Sequence, residues 1–344
     1  MSKTLDAFRK VVKDVRGGTF KPLYLLHGDE GYFIDRIGEE IEANALQEHE
    51  RDFNLTVLYG KDSDPDQVRD ACLRFPMMAE RQLVVLREAQ TWKIDQFDKL
   101  AAYFKKPTPT TVLVIQVKHK KLDGRRAWFK DLKKHAVIFE SKKLYDNEMP
   151  GWIQGYVKFQ KRRIGEREAL LLAEHLGSDL ARLTKQVEKL CIMAGEGEAI
   201  TGDLIERIIG INKDYNIFEL QNAIGANNAE KAQRIANYFA SAPKDHPLVL
   251  TVGMLNAFFT KVALVHAGQG KSQGELASLL GVSPFFVKDY ANAARNFPPD
   301  RLAEVQRLLR DTDLKTKGVG SSSATDGDLL RELLAKVMTP GRLN

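Results

Sequence analysis

The sequence predicts a parallel α/β domain followed by an all-helical remainder. Three observations carry that expectation: five short apolar runs lie between residues 20 and 145, amphipathic helical patterns separate them, and strand patterns stop after Tyr145. Continuous runs rich in Val, Ile and Leu, alternating with helices, are the mark of a parallel sheet covered on both faces.

Taken in order, MSKTLDAFRKVVKDV reads as a short amphipathic helix and lacks the apolar core of a signal peptide. The runs at 23–26, 55–58, 83–86, 112–117 and 137–139 predict strands. FIDRIGEEIEANAL, DPDQVRDACLRF and IDQFDKLAAYFKK predict helices between them. Four further helical patterns follow: MPGWIQGYVKFQKR, EREALLLAEHL, SDLARLTKQVEKLCIMA and TGDLIERIIG. Ser178 is positioned to N-cap the third and Thr201 the fourth. Polarity changes around INKDYN, and a last helical block follows, broken at Pro243 and Pro247, at 268–270, at Pro298 and Pro299, and at GVGSSSATDG. The expected domains are therefore 1–145, 146–212 and 213–344. There is no internal repeat and no long low-complexity tract.

The 344 residues are 43% hydrophobic and 28% charged, ordinary for a soluble globular protein. By this reading no apolar run approaches the ~18–20 residues needed to cross a membrane. Two cysteines, Cys72 and Cys191, have neither metal-site spacing nor disulfide-scaffold density, and are expected as buried thiols in a reducing cytosol. The net charge of +6 is unevenly placed: residues 118–163 hold 14 Lys and Arg against 5 Asp and Glu. Such a segment is a footprint for phosphates or an acidic partner, or else a solvated helix face. Its aromatics, Trp128, Phe129, Trp152, Tyr156 and Phe159, sit at helical spacing and are expected mainly in the core.

YLLHGDEGYFID, residues 24–35, has the strand, glycine turn and helix start of a phosphate-binding loop. Such a loop needs glycines whose backbone amides cradle phosphate, a lysine to neutralise it and a hydroxyl to hold Mg²⁺. With Gly28 as the first glycine, the second falls on Phe33, the lysine on Ile34 and the hydroxyl on Asp35. At the end of the third strand, where a carboxylate would hold the metal, stand Arg87 and Glu88. The site is expected to be degenerate, with no nucleotide and no cofactor bound. GQGKS at 268–272 ends like a phosphate loop, but its first glycine would be Val265 and no strand precedes it. HGDE at 27–30 has no second histidine at ligand spacing, so no metal site is expected. G-x-S-x-G and H-E-x-x-H are both absent.

Several stretches together resemble one family over nearly the whole chain: PLYLLHGDEGYFID, FNLTVLYGKD, RFPMMAERQLVVLREAQ, SDLARLTKQVEKL, NIFELQNAI, ELASLLGVSPFFVKDYANAARNF and RDTDLKTKG. The chain resembles the delta subunit of the bacterial DNA polymerase III clamp loader. That resemblance implies an AAA+ type α/β domain without nucleotide binding, a small helical lid domain and a helical collar domain through which subunits oligomerise. It implies a cytoplasmic replication protein that grips the sliding clamp (beta subunit) and helps open it. The ATPase gamma/tau subunits, delta-prime and primed DNA would be its partners, and no membrane would be. The holoenzyme transfers nucleotides, but this chain offers no carboxylate pair for that reaction.

The family's docking pair falls on Met77 and Met78, preceded by Phe75 and Pro76. Other members often carry leucine and phenylalanine there; methionine's flexible thioether also suits an irregular apolar groove. Independently, four apolar residues stand where a helix should yield to a polar turn, and Pro76 stops the helix from running on. Without the family, a helix tail folded under its own domain is the plainer reading. Ala79, Glu80, Arg81 and Gln82 match a flanking family segment, where Arg81 and Gln82 are rim contacts or turn residues. Within the assembly, Lys118, Lys120, Lys121, Arg125 and Arg126 are candidates to face the DNA backbone, sequence-blind and salt-sensitive.

Three rivals stand beside this reading. KSQGELASLLGVSPFFVKDYANAA resembles the helix-turn-helix of a DNA-binding regulator, but its second helix opens on Pro284, Phe285 and Phe286, residues expected in a helical core rather than on base edges. A competent AAA+ ATPase would need nucleotide affinity despite Ile34 and Asp35. A nonspecific RNA-binding protein would use residues 118–163.

Overall fold

The computed structural model describes residues 3–319 and 324–339. The chain divides into two compact units, Met1–Glu148 and Met149–Asn344.

The first unit opens with α1 (Lys3–Arg16), β1 (Leu23–Gly28) and α2 (Gly31–Asn44), then α3 (Arg51–Asn54), β2 (Leu55–Tyr59), α4 (Pro65–Cys72) and β3 (Gln82–Arg87). It continues through α5 (Ile94–Lys99), α6 (Ala101–Lys105), β4 (Thr111–Lys118) and α7 (Ala127–Lys133) to β5 (Ala136–Ser141). The five expected strands all form. They pair in parallel in the order β2-β3-β4-β1-β5, giving the parallel-sheet architecture of the AAA+ type expectation. The three central strands are the apolar ones, because both their faces are covered. Leu25, Leu86 and Leu113 pack under Val68, Phe97, Phe104 and Trp128, with Phe97 and Trp128 stacked 5.1 Å apart. α2 buries Phe33, Ile34, Ile37 and Ile41. Fully burying such a side chain stabilises a fold by about 1.5–3 kcal/mol. IDQFDKLAAYFKK, expected as one helix, breaks at Leu100, whose backbone N–H turns back to Phe97 O at 3.1 Å.

The second unit runs α8 (Met149–Phe159), β6 (Arg163–Ile164), α9 (Glu166–Leu176), α10 (Leu180–Ala194), β7 (Ala199–Ile200) and α11 (Gly202–Ile209). It continues α12 (Ile217–Gly225), α13 (Ala229–Ser241), α14 (Leu248–Ala267), α15 (Gln273–Leu280), α16 (Val287–Asn296), α17 (Pro299–Thr316) and α18 (Asp326–Met338). Strand structure does not stop at Tyr145: β6 and β7, two residues each, pair in parallel. They are too short to leave a periodic pattern. Thr201 caps α11 as expected, but α10 is capped by Asp179, one residue after Ser178; its carboxylate accepts from Arg182 N–H at 3.0 Å.

The expectation that no apolar stretch reaches membrane length is corrected by α14. Its 20 residues are long and apolar enough, by length and composition, to span a bilayer. A single Lys261 and scattered Thr and Asn interrupt the stretch in sequence without making it polar. Its face of Leu248, Val252, Leu255, Phe258, Phe259 and Val262 lies in a helical core with Ile235, Phe239, Phe297, Val305 and Leu333.

Both cysteines are buried and free, and burial pushes the Cys72 thiol up to about 12. Trp128, Phe129 and Trp152 are core residues, whereas Phe159 is half exposed. The GVGSSSATDG break includes residues 320–323, which lie outside the described residues. Phe285 departs from the core role expected of it: it is 53% exposed, and Phe286 is only half-buried. Ser283 caps a single 3₁₀ turn over Pro284–Phe286, which leaves Phe285 at the surface while Val287, the first residue of α16, is buried.

Candidate functional site

Asp64 and Gln67 form a reciprocal capping box at the start of α4, with Pro65 at its first position. Val68, Ala71 and Cys72 bury one face of that helix. After Cys72 the chain leaves the core and does not re-enter the sheet until Gln82. In between, Phe75 is 85% exposed and Met78 fully exposed; Leu73 and Met77 are more than half exposed. The segment does not fold under its own domain. Met78 has a left-handed backbone, φ 52°, which a side chain adopts only when its surroundings hold it there.

Two buried amides hold this loop. Gln82 Nε2 donates to the Arg74 carbonyl at 2.6 Å and to Thr111 Oγ1 at 2.8 Å, while the Thr111 hydroxyl donates to the Cys72 carbonyl at 2.9 Å. These bonds satisfy carbonyls that the end of α4 leaves without helical partners. Gln82 is therefore an internal brace and not a rim contact. In the middle of the loop, Asn54 Oδ1 accepts the Met77 N–H at 2.7 Å, and Asn54 Nδ2 donates to the Met77 carbonyl at 2.9 Å. Arg81 is half-buried, paired with Glu80 at 3.0 Å, its guanidinium 4.8 Å from the Phe20 ring centre. Sequence reasoning missed Asn54 and the exposed Phe53 beside it. They precede β2, 23 residues from Met77 in the case of Asn54, and no local pattern marks them.

The opposite end of the sheet holds the segment expected from sequence to be a degenerate nucleotide site. Gly28 N–H donates to the Lys120 carbonyl at 3.1 Å and Asp29 N–H to the Ser141 carbonyl at 2.8 Å. The Glu30 carboxylate accepts the Tyr32 N–H at 3.0 Å and caps α2. Backbone donors that could cradle a phosphate thus serve protein oxygens. Phe33 and Ile34 are fully buried. Arg87 pairs with Glu42 at 2.6 Å. Asp35 and Glu88 both turn to Lys118, whose Nζ lies 3.1 Å from Asp35 and 2.6 Å from Glu88. The Lys118 hydrogen bond holds the Glu88 carboxyl below its ordinary value. Burial disfavours the Lys118 charge, but bonds to Glu88 and Asp35 outweigh it and raise the lysine.

Of the other basic candidates, Lys121 pairs with Glu140 at 2.8 Å and Arg125 with Asp123 at 2.8 Å. Lys120 and Arg126 are exposed and form no ion pair among the described residues.

A family model described as DNA polymerase III, delta subunit, matches residues 24–142, and one for the C-terminal domain of that subunit matches residues 214–335. DNA polymerase III subunit delta of Bacillus subtilis (strain 168) is 30% identical over 318 residues, covering 89% of this chain and 91% of that protein. The chain belongs to the DNA polymerase III delta subunit family. The solved structure of the Bacillus subtilis DNA clamp loader delta protein (YqeN) is similar, with a TM-score of 0.53 and 27% identity over 96% of this chain and 99% of that one. Family membership gives the chain a clamp loader role. The loop at 73–81 and the 28–35 segment both lie within the first family match.

Proposed function

We propose that this delta family chain is a non-ATPase clamp loader subunit that docks on the sliding clamp (beta subunit) through Phe75, Pro76, Met77 and Met78 and helps open it for loading onto primed DNA. The observation that carries the proposal is a loop whose Phe75, Met77 and Met78 are largely presented to solvent yet whose backbone is fixed by buried side-chain amides. An exposed apolar cluster of this kind marks a partner surface. Its braces reduce the ordering cost that a flexible loop would bring to binding. The lid (146–212) and collar (213–344) belong to the same reading, the collar joining gamma/tau and delta-prime. So does a cytoplasmic location. ATP-driven movement in neighbouring subunits would bare or withdraw the loop, and the ion pairs of Lys118 with Asp35 and Glu88 support a chain that takes no part in hydrolysis. Lys120 and Arg126 are the better placed of the candidates for sequence-blind contacts with the DNA backbone.

The deciding experiment is calorimetric binding to the cognate clamp, wild type against Met77→Ala/Met78→Ala. Burying each methionine fully is worth about 1.5–3 kcal/mol and ~1.4 kcal/mol is tenfold in affinity, so at least a hundredfold loss is expected with folding unchanged. Binding that survives the double substitution moves the docking site elsewhere. Failure of the wild type to bind removes the docking role.

A further inference from the structure

We propose that Asn54 is a positioning residue: its side chain pre-forms the exposed loop by holding both backbone groups of Met77. The inference rests on the docking role proposed above and adds a residue outside the docking segment to it.

Asn54 lies at the end of α3 and is only 3% exposed, although the residue before it and the residue it grips are both exposed. Its amide is almost fully used. Oδ1 accepts from Met77 N–H at 2.7 Å, and the two Nδ2 hydrogens go to the carbonyls of Met77 and Glu50, each at 2.9 Å. A side-chain amide is one of few groups that can serve as donor and acceptor at once. Here it pairs with one residue as a neighbouring strand would, at a place where no strand runs. The Met77 backbone is thereby fixed immediately before the left-handed Met78. Gln82 fixes the loop's entry at Arg74. The two braces leave the apolar side chains free and remove conformational freedom from the backbone that carries them.

A brace of this type makes distinct demands on a substitution. Asn54→Asp keeps the size and one acceptor, but sets its second oxygen against the carbonyls of Met77 and Glu50. Those acceptors then lose their donor and face a like charge. Asn54→Ser keeps a small polar group without the paired geometry, and serves if the aspartate variant fails to fold.

The unmodified protein gives the first test by amide hydrogen exchange in the absence of any clamp. The Met77 amide should exchange at least tenfold more slowly than the amides of Met78 and Glu80. Equal rates overturn the proposal, whatever the clamp does. The second test is a double-mutant cycle on clamp affinity. Asn54→Asp should weaken binding by tenfold or more in the wild-type loop and by less than twofold when Met77 and Met78 are already alanine. A residue that merely stabilised the domain would weaken both backgrounds equally, and that result also overturns the proposal. Trypsin should cut the free Asn54→Asp protein faster at Arg74 and Arg81 than the wild type; unchanged cutting counts against it. If the wild type does not bind the clamp, the docking role falls, and the exchange and cleavage results alone decide whether Asn54 holds the loop.

Discussion

The Nζ of Lys118 stands 2.6 Å from the Glu88 carboxylate, at the carboxyl ends of the central strands, where open α/β sheets ordinarily bind their ligands. Glu88 holds a left-handed backbone there, φ 53°. A carboxylate already neutralised by a lysine from the neighbouring strand is a poor metal ligand. Equilibrium dialysis of the isolated chain with labelled ATP and Mg²⁺ should therefore detect no micromolar binding. Saturable micromolar binding would mean that this ion pair opens readily, and the non-ATPase reading would fall.

Arg16 grips Glu40 from α1 with two hydrogen bonds of 2.7 and 2.6 Å, and Glu40 is nearly buried. That hydrogen bonding holds the Glu40 carboxyl below its ordinary value, against the opposing effect of burial. A carboxylate lowered on folding stabilises the fold above its unfolded pKa, about 4.3, and loses that contribution as pH falls through its folded value. Arg16→Met should cost about 1–2 kcal/mol at neutral pH, since Arg16 is partly exposed. Urea midpoints for the two proteins should converge as pH falls from about 5 toward 3. A difference that stays constant across that range would exclude the ion pair as its source.

Gly28 looks like the first glycine of a phosphate loop, but its need is internal. Its φ is 133°, and a Cβ would lie 2.0 Å from the Ser141 carbonyl oxygen. Gly28→Ala should destabilise the first unit by roughly 3 kcal/mol or more, combining backbone strain with a backbone clash. Thermal melting checks this; an unchanged melting temperature would show that β5 can move aside freely.

The exposed Phe285 and the buried Phe297 separate surface from core in the second unit. Phe285→Arg should change stability by about 0.5 kcal/mol or less, as surface substitutions do. Phe297→Ala should cost about 3–5 kcal/mol. Chemical denaturation of both variants checks the contrast, and a severe loss for Phe285→Arg would restore the core role that the sequence suggested for it.

The sheet was legible because buried parallel strands must be apolar on both faces, so 83–86 and 112–117 stand out against their flanks. Caps that act over three residues, such as Thr201, were equally legible, although at α10 the adjacent Ser178 and Asp179 could not be ranked from type alone. The Asn54 to Met77 brace left no trace because its partners are joined through the fold and not along the chain. Gln82 misled for a related reason: a polar residue beside a loop reads as a surface residue, and only the position of Thr111 and the end of α4 shows its amide to be enclosed. α14 was missed because Thr251, Asn256, Thr260 and Lys261 divide its apolar run in sequence, although the helix as a whole is as apolar as one in lipid. Phe285 misled because aromatic content says nothing about which way a 3₁₀ turn faces.

β3 begins where the exposed 73–81 loop ends and finishes at Arg87, next to Glu88. Its residues Leu83, Val84, Val85 and Leu86 are fully enclosed between β2 and β4. The exposed loop and the Lys118–Glu88 ion pair thus lie at the two ends of one strut, about 20 Å long at 3.3 Å per residue. In a working motor, such a strut would carry a push from the fuel site to the tool. Here Lys118 ties Asp35 and Glu88 together at one end of the strut, and under the proposed function the loop at the other end stays exposed whatever happens there. Under that proposal, an off-switch would be a sheath supplied from outside the first unit.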